Sequence, residues 1–153
     1  MPLLGREKVE YELKTGVKER INTNLKGVYL SGLGNIISGT PADTGIHRNS
    51  WFLTTSVPSN SVTTSKSKTG TSSVRQVSKM PTSVLGKKVF FTNSAPAINI
   101  LEYGGFPSPV EKGSYIKRSK SYEILSVRGF SKQAPNGWVR AALIAMRNKI
   151  RSL

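Results

Sequence analysis

The chain has 153 residues, 37% of them apolar, and a formal net charge of +15. That length suits one domain with its own core, that composition argues against general disorder, and no stretch approaches the ~18–20 consecutive apolar residues of a membrane span. There are no cysteines, so disulfides, thiolate catalysis and Cys-type zinc sites are excluded, and a reducing cytoplasm is a compatible setting.

The first segment differs in charge from the rest. Residues 1–19 carry four bases and four acids, whereas residues 20–153 carry nineteen bases and four acids. The basic remainder suits a polyanionic neighbour, nucleic acid being the commonest, or a solvated surface that aids solubility. "MPLLGREKVEYEL" mixes acids with bases and has no long apolar run, so it is not expected to be a signal or transit peptide.

From about Leu3 to Ser38, Val9, Leu13, Val17, Ile21, Leu25 and Val28 recur at steps of four, four, four, four and three, which predicts a helix. Strict +4 spacing drifts ~40° per step, so the stripe winds and should cross its partner obliquely. Glu10 and Lys14 are placed to pair across one turn. Gly27, Gly32 and Gly34 predict a fray, kink or early stop, and Gly39-Thr40-Pro41 ends the element.

"SWFLTTSV" (Ser50 to Val57) and "KKVFFT" (Lys87 to Thr92) read as strands. Of the twenty-six residues 58–83 between them, thirteen are Ser or Thr, with four bases and no acid. That segment is expected to be either a mobile loop or an extended β-hairpin arm with Thr69-Gly70 at its turn. "SAPAINILEYGG" (Ser94 to Gly105) reads as a short helix, with Ser94 as N-cap, Pro96 in the first turn and Gly104 beyond its end. Residues 106–130 form a second basic excursion, a hairpin with Tyr115 and Ile116 facing Ile124 and Val127 across Ser119-Lys120.

At the end, Val139, Leu143, Met146 and Ile150 mark one apolar face of a helix. Pro135 would sit in its first turn, and Arg147, Lys149 and Arg151 would complement its C-terminal dipole. The expectation is a single α+β domain over 1–153: a long N-terminal and a C-terminal helix on a small antiparallel sheet, with two basic excursions, 58–83 and 106–130.

Asp43-Thr44-Gly45 spells the aspartic-protease tripeptide. A catalytic Asp of that kind ends a buried strand, but "SGTPA" precedes this one and "IHRNSW" follows, which is loop-like, polar and basic sequence. Pro41 and Gly45 instead suit a helix-to-strand corner, with the Asp43 side chain capping the backbone two residues on. The one histidine, His47, has no second His or Cys to join it. Asp43, Glu102, Glu111 and Glu123 are too scattered for a Mg²⁺ nuclease, and Gly32-x-Gly34 is no phosphate loop. No catalytic residue, metal site or cofactor is expected.

Three segments in order carry a resemblance. "TPADTGIHRNSW" (Pro41, Asp43, Thr44, Gly45, Arg48, Trp51) resembles the P-x-D-T-G corner, with its following Arg and Ser-Trp, of tailed-bacteriophage neck and tail-completion proteins, the group that includes minor tail protein Z. "AINILEYGG" (Glu102, Tyr103, Gly104) resembles that family's aliphatic-Glu-Tyr-Gly segment, and "QAPNGWVRAAL" (Pro135, Gly137, Trp138, Arg140) its Q-A-P-x-G-x-V-R entry to a helix. The two excursions lie outside the match.

The resemblance implies a non-enzymatic virion protein, assembled in the host cytoplasm, that forms a neck ring of six or twelve copies. Portal or adaptor proteins and tail-terminator or tail-tube proteins would flank it, and no membrane would be involved. On that basis the Glu102 and Trp138 segments are interface candidates. Arg48 and Arg140 are expected to pair with Asp43 or Glu102, either within a subunit or across the interface. Trp51 and Trp138 are expected in the core, with an interface as the other placement. Lys66, Lys68, Arg75, Lys79, Lys117, Arg118 and Lys120 would face genomic DNA non-specifically or lie on the arms. Tyr115 and Tyr122 imitate a stacking platform, and a core-facing hairpin is the plainer expectation.

Overall fold

The computed structural model describes residues 3–107 and 111–153; residues 108–110, part of the expected second excursion, lie outside it. The chain is α+β. In order it forms α1 (Leu3–Gly39), α2 (Ile46–Asn49), β1 (Trp51–Thr54), α3 (Thr71–Val77), β2 (Phe90–Asn93), α4 (Ile98–Tyr103), β3 (Ser114–Ile116), β4 (Ser121–Glu123), β5 (Ser126–Val127), β6 (Phe130–Ser131) and α5 (Val139–Arg151). The strands make three separate two-stranded antiparallel ladders, β1–β2, β3–β4 and β5–β6.

The glycines do not interrupt α1, contrary to expectation; it runs unbroken to Gly39. Two of them serve packing instead. A methyl group at Gly32 would collide with Met146, and one at Gly39 would lie 2.9 Å from Trp138 Cδ1. These contacts let α5 lie close against α1, antiparallel to it, since Gly39 meets the start of α5 and Gly32 its middle. The helix then stops because Pro41 cannot continue it. The Thr40 hydroxyl closes the last turn by donating to Ile36 O at 2.7 Å.

The core gathers Leu33, Ile36 and Ile37 of α1 with Trp51, Leu53, Val77, Met80, Val84, Leu101, Ala134 and Trp138. Trp51 pairs with Asn93 and Leu53 with Phe91 across β1–β2, and Trp51 stacks on Phe91 with centroids 4.9 Å apart. Each such large apolar side chain contributes roughly 1.5–3 kcal/mol on burial. The core therefore sits on the second half of α1. Val9, Leu13, Val17 and Ile21 of the predicted stripe lie outside this core cluster and remain 46–62% exposed.

The segment 58–83 is neither a loose loop nor a hairpin arm. It contains α3, started by Gly70 in the left-handed region (φ 77°), and buries Ser73, Val77 and Met80. Its hydroxyl-rich chain is held by side chains that substitute for ladder bonds. Buried Asn49 donates from Nδ2 to Gly45 O at 2.9 Å and to Ser67 O, and accepts from the Ser72 N–H at 3.0 Å. Ser73 Oγ accepts from the Trp51 N–H at 3.0 Å. Ser50 Oγ accepts from the Thr63 N–H at 3.2 Å.

Other expectations shift in detail. Glu10 pairs with Arg6 at 3.2 Å, not with Lys14. Ala97 at φ 64°, not Ser94, caps α4, so Pro96 precedes the helix. Pro135 bridges to Gly137 ahead of α5, and only Lys149 and Arg151 fall in the last turn of α5. The hairpin turn lies where expected, with Lys120 at φ 50°. Tyr115, however, faces Tyr122 rather than Ile124, because Val127 pairs with Phe130 in its own ladder.

Candidate functional site

Glu102 is the centre of the best-defined polar cluster. It lies on α4, a helix of one and a half turns that ends at Gly104 (φ 80°), and the carboxylate points at the start of α5. Oε2 accepts from the Trp138 N–H at 2.7 Å and the Val139 N–H at 2.9 Å. Oε1 accepts from the Arg140 N–H at 3.0 Å and from Arg140 Nε at 3.1 Å. The first N–H groups of a helix have no partner within it, and Trp138, at the N-cap position, makes no side-chain cap bond. Glu102 thus caps α5 from a different element, with its charge at the positive end of the helix dipole.

The approach requires Gly137. It has φ 73°, and a methyl group there would collide with Glu102 O and lie 2.8 Å from Glu102 Oε2. Glu102 is only 6% exposed. Burial alone would raise its pKa, but the three backbone N–H donors and the Arg140 guanidinium outweigh burial and hold it below the ordinary Glu value. Outside the clasp, Arg140 lies over the exposed Tyr103 ring at 5.0 Å.

The same cluster reaches the end of α1. Trp138 Nε1 donates to Ile36 O at 2.9 Å, and Trp51 Nε1 donates to the Thr40 hydroxyl at 2.9 Å. Arg48 Nε donates to Thr40 O at 2.9 Å and its Nη1 to Lys68 O at 2.6 Å. Gln133 Oε1 accepts from the Ala42 N–H at 2.9 Å. The three segments singled out in the sequence, 40–51, 97–105 and 133–143, therefore converge on one point, the C-terminal end of α1.

Within the subunit the expected pairing forms for Arg140 with Glu102, whereas the Arg48 guanidinium is aimed at carbonyls. Asp43 is exposed, and among the described residues its carboxylate makes no hydrogen bond, so the expected cap is not formed. Gly45 at φ 89° makes the turn, with backbone of Lys66 and Ser67 where a side chain would be. Beside the corner, a cleft of about 260 Å³ is lined by Pro41, Asp43, His47, Lys112, Lys132 and Gln133 among others, and His47 Nε2 lies 2.6 Å from Pro96 O.

Both tryptophans are core residues. Glu102, Gly137 and Trp138 are consumed inside the subunit, leaving Tyr103, Pro135 and Arg140 as the exposed members of the interface candidates. The cations Lys66, Lys68, Arg75, Lys79, Lys117, Arg118 and Lys120 are all exposed. Tyr115 and Tyr122 are not core-facing as expected. They are 52% and 62% exposed, with centroids 5.3 Å apart and Lys112 Nζ 5.6 Å from the Tyr122 centroid. The hydrogen-bonding roles of Asn49 and Ser73 escape a reading of the sequence, because lone small polar residues in loop-like sequence give no periodic signal.

Among the described residues no group of three or more His, Asp or Glu side chains could hold a metal ion, and no helix is long and apolar enough to cross a membrane. No protein-family model, curated protein or solved structure matches the chain.

Proposed function

We propose that this protein is a structural subunit of the neck of a tailed bacteriophage, a non-catalytic ring protein joining the portal complex to the tail around the DNA passage. The observation that carries the reading is the convergence of the three family-like segments on the end of α1. Residues that a motif keeps together, though far apart in the chain, are those that one fold needs together: Asp43-Thr44-Gly45 turns the chain, Glu102 clamps α5, and Gly137 lets the clamp close. The most buried carboxylate is already engaged by four donors, which suits fixing a shape rather than activating water. Six or twelve copies would close through heterologous contacts, with portal or adaptor proteins above and tail-terminator or tail-tube proteins below. Single-particle imaging of virions tests this: density for the chain is expected in the neck, and a purified particle lacking it overturns the reading.

A second reading is a basic, non-specific nucleic-acid-binding protein. It is favoured by the exposed Tyr115–Tyr122 pair beside Lys112, Lys117, Arg118 and Lys120, an aromatic surface among cations. Binding to DNA at near-physiological salt with a steep salt dependence would favour it over the neck subunit.

A further inference from the structure

The cleft beside the corner gathers polar groups that the subunit itself does not use. It lies between the corner at Pro41 to His47, the start of β3 and the segment from Leu125 to Gln133, with Leu101, Phe106 and Leu125 as apolar lining. Its walls are tied to one another. The Ala42 N–H donates to Gln133 Oε1 at 2.9 Å. The Phe106 N–H donates to Gly129 O at 3.1 Å, and the Lys132 N–H to Leu125 O at 2.9 Å. The cleft is therefore formed before anything enters it, as small-molecule sites usually are.

The side chains that converge on it are mostly donors. Lys112 and Lys132 both line it, and among the described residues neither pairs with a carboxylate. An N–H can donate only to the carbonyl end of an amide, so the Ala42 bond fixes the orientation of Gln133 and identifies its NH₂ end. That end makes no hydrogen bond among the described residues and offers two more donors. Asp43 is the one carboxylate of the lining. Two ammonium groups and an amide thus stand against a single acid, and an anion is the ligand that satisfies them.

Two features narrow the kind of anion. Leu101, Phe106 and Leu125 offer apolar surface that a bare inorganic ion would leave wet. The volume of about 260 Å³ falls just under the ~300–1,000 Å³ of drug-sized pockets, which suits one ring or short apolar body with its charged group. A polyanion is better served by the exposed cations elsewhere, since its further charges would meet Asp43 here.

We infer that this cleft is a binding site for a small organic anion: an apolar or aromatic body that carries one carboxylate or phosphate. Lys112 and Lys132 hold the charge, the Gln133 NH₂ donates to an anion oxygen, and the three apolar side chains take the body. The site stands apart from the neck reading, because it requires neither a ring nor DNA.

His47 lines the cleft and is the one histidine of the chain, so its ring C–H resonances report occupancy directly. Benzoate and phenyl phosphate are titrated into the intact protein at fixed pH. Benzyl alcohol and inorganic phosphate serve as controls that lack the charge or the ring. A saturable shift of the His47 signals is expected with at least one organic anion, and the tighter of the two tells carboxylate from phosphate. Lys112→Gln combined with Lys132→Gln should weaken that binding about tenfold or more. Both lysines are exposed, so circular dichroism should not change. His47 signals unmoved by both organic anions would overturn the inference. An equal response to benzyl alcohol would overturn it by making the site merely apolar, and an equal response to inorganic phosphate by making the ring irrelevant. Binding that survives the loss of both lysines would also overturn it.

Discussion

Glu102 concentrates the polar chemistry of the molecule into one side chain, and its replacement separates charge from shape. Glu102→Gln keeps the volume but sets an NH₂ group against backbone N–H donors that a carboxylate had accepted. The expected cost is about 2–3 kcal/mol of folding stability, the range for hydrogen bonds to a charged group plus a donor left buried, read from denaturant midpoints. The pH dependence follows from the lowered pKa. The folded state favours the ionised form, so the contribution is fully present above the unfolded Glu value. It is lost as pH falls through the lower folded value. Wild type should therefore lose stability on that acid limb, and Glu102→Gln should show a flatter limb there. An equal slope in both proteins would mean that other carboxylates carry the acid response. Gly137→Ala should be as damaging as the loss of Glu102, since φ 73° is strained for alanine and its methyl group would collide with Glu102 O. Part of this site is legible in the sequence, because Glu102, Gly137 and Arg140 stand in recognisable segments. That Glu102 clasps Trp138 and Arg140 is not, because thirty-six and thirty-eight positions separate these donors from their acceptor and no spacing rule reaches so far.

The helices divide in how well their sequence announces them. α5 is plain from its apolar face, and α1 from its +4 spacing, yet the glycines of α1 look like weaknesses on propensity alone. Their environments differ. Nothing lies within 4 Å of a methyl group built on Gly27 or Gly34, whereas Gly32 and Gly39 touch Met146 and Trp138. Alanine at Gly27 or Gly34 should therefore stabilise the protein by up to about 1 kcal/mol through helix propensity. Alanine at Gly39 should lose that gain to displacement of Trp138. Thermal melts of the three variants check the contrast, and a gain at Gly39 equal to that at Gly34 would remove the packing explanation. α3 escapes notice for a different reason. Serine and threonine in number suggest solvation, but here Ser50 and Ser73, with Asn49, accept or donate backbone hydrogen bonds that strands would otherwise supply. Composition cannot distinguish hydroxyls turned to water from hydroxyls turned to the backbone.

The whole molecule is a basic body with a charge-balanced helical arm, and under the proposed neck function the basic body is the part that would meet DNA. A ring wall through which a genome passes needs phosphate contacts that are weak and indifferent to sequence. The β3–β4 hairpin carries Lys117, Arg118 and Lys120 at its exposed turn, far in the chain from Lys66, Lys68, Arg75 and Lys79. If the hairpin faces the nucleic acid, changing its three cations to Ser should reduce the salt dependence of duplex binding. The log–log slope should become shallower by up to about 3, close to 0.9 for each phosphate that is no longer neutralised. The reduction should be the same for unrelated duplex sequences, because no base edge is read. The four cations of 58–83, replaced in a parallel variant, give the comparison. A slope that changes only in that second variant would put the DNA-facing side on the α3 segment and the hairpin elsewhere. Tyr122→Ala separates the two proposed functions in the same assay. A protein that stacks bases should lose roughly 1–3 kcal/mol of single-strand affinity with the ring removed, whereas a passage wall, which touches phosphates, should lose almost none.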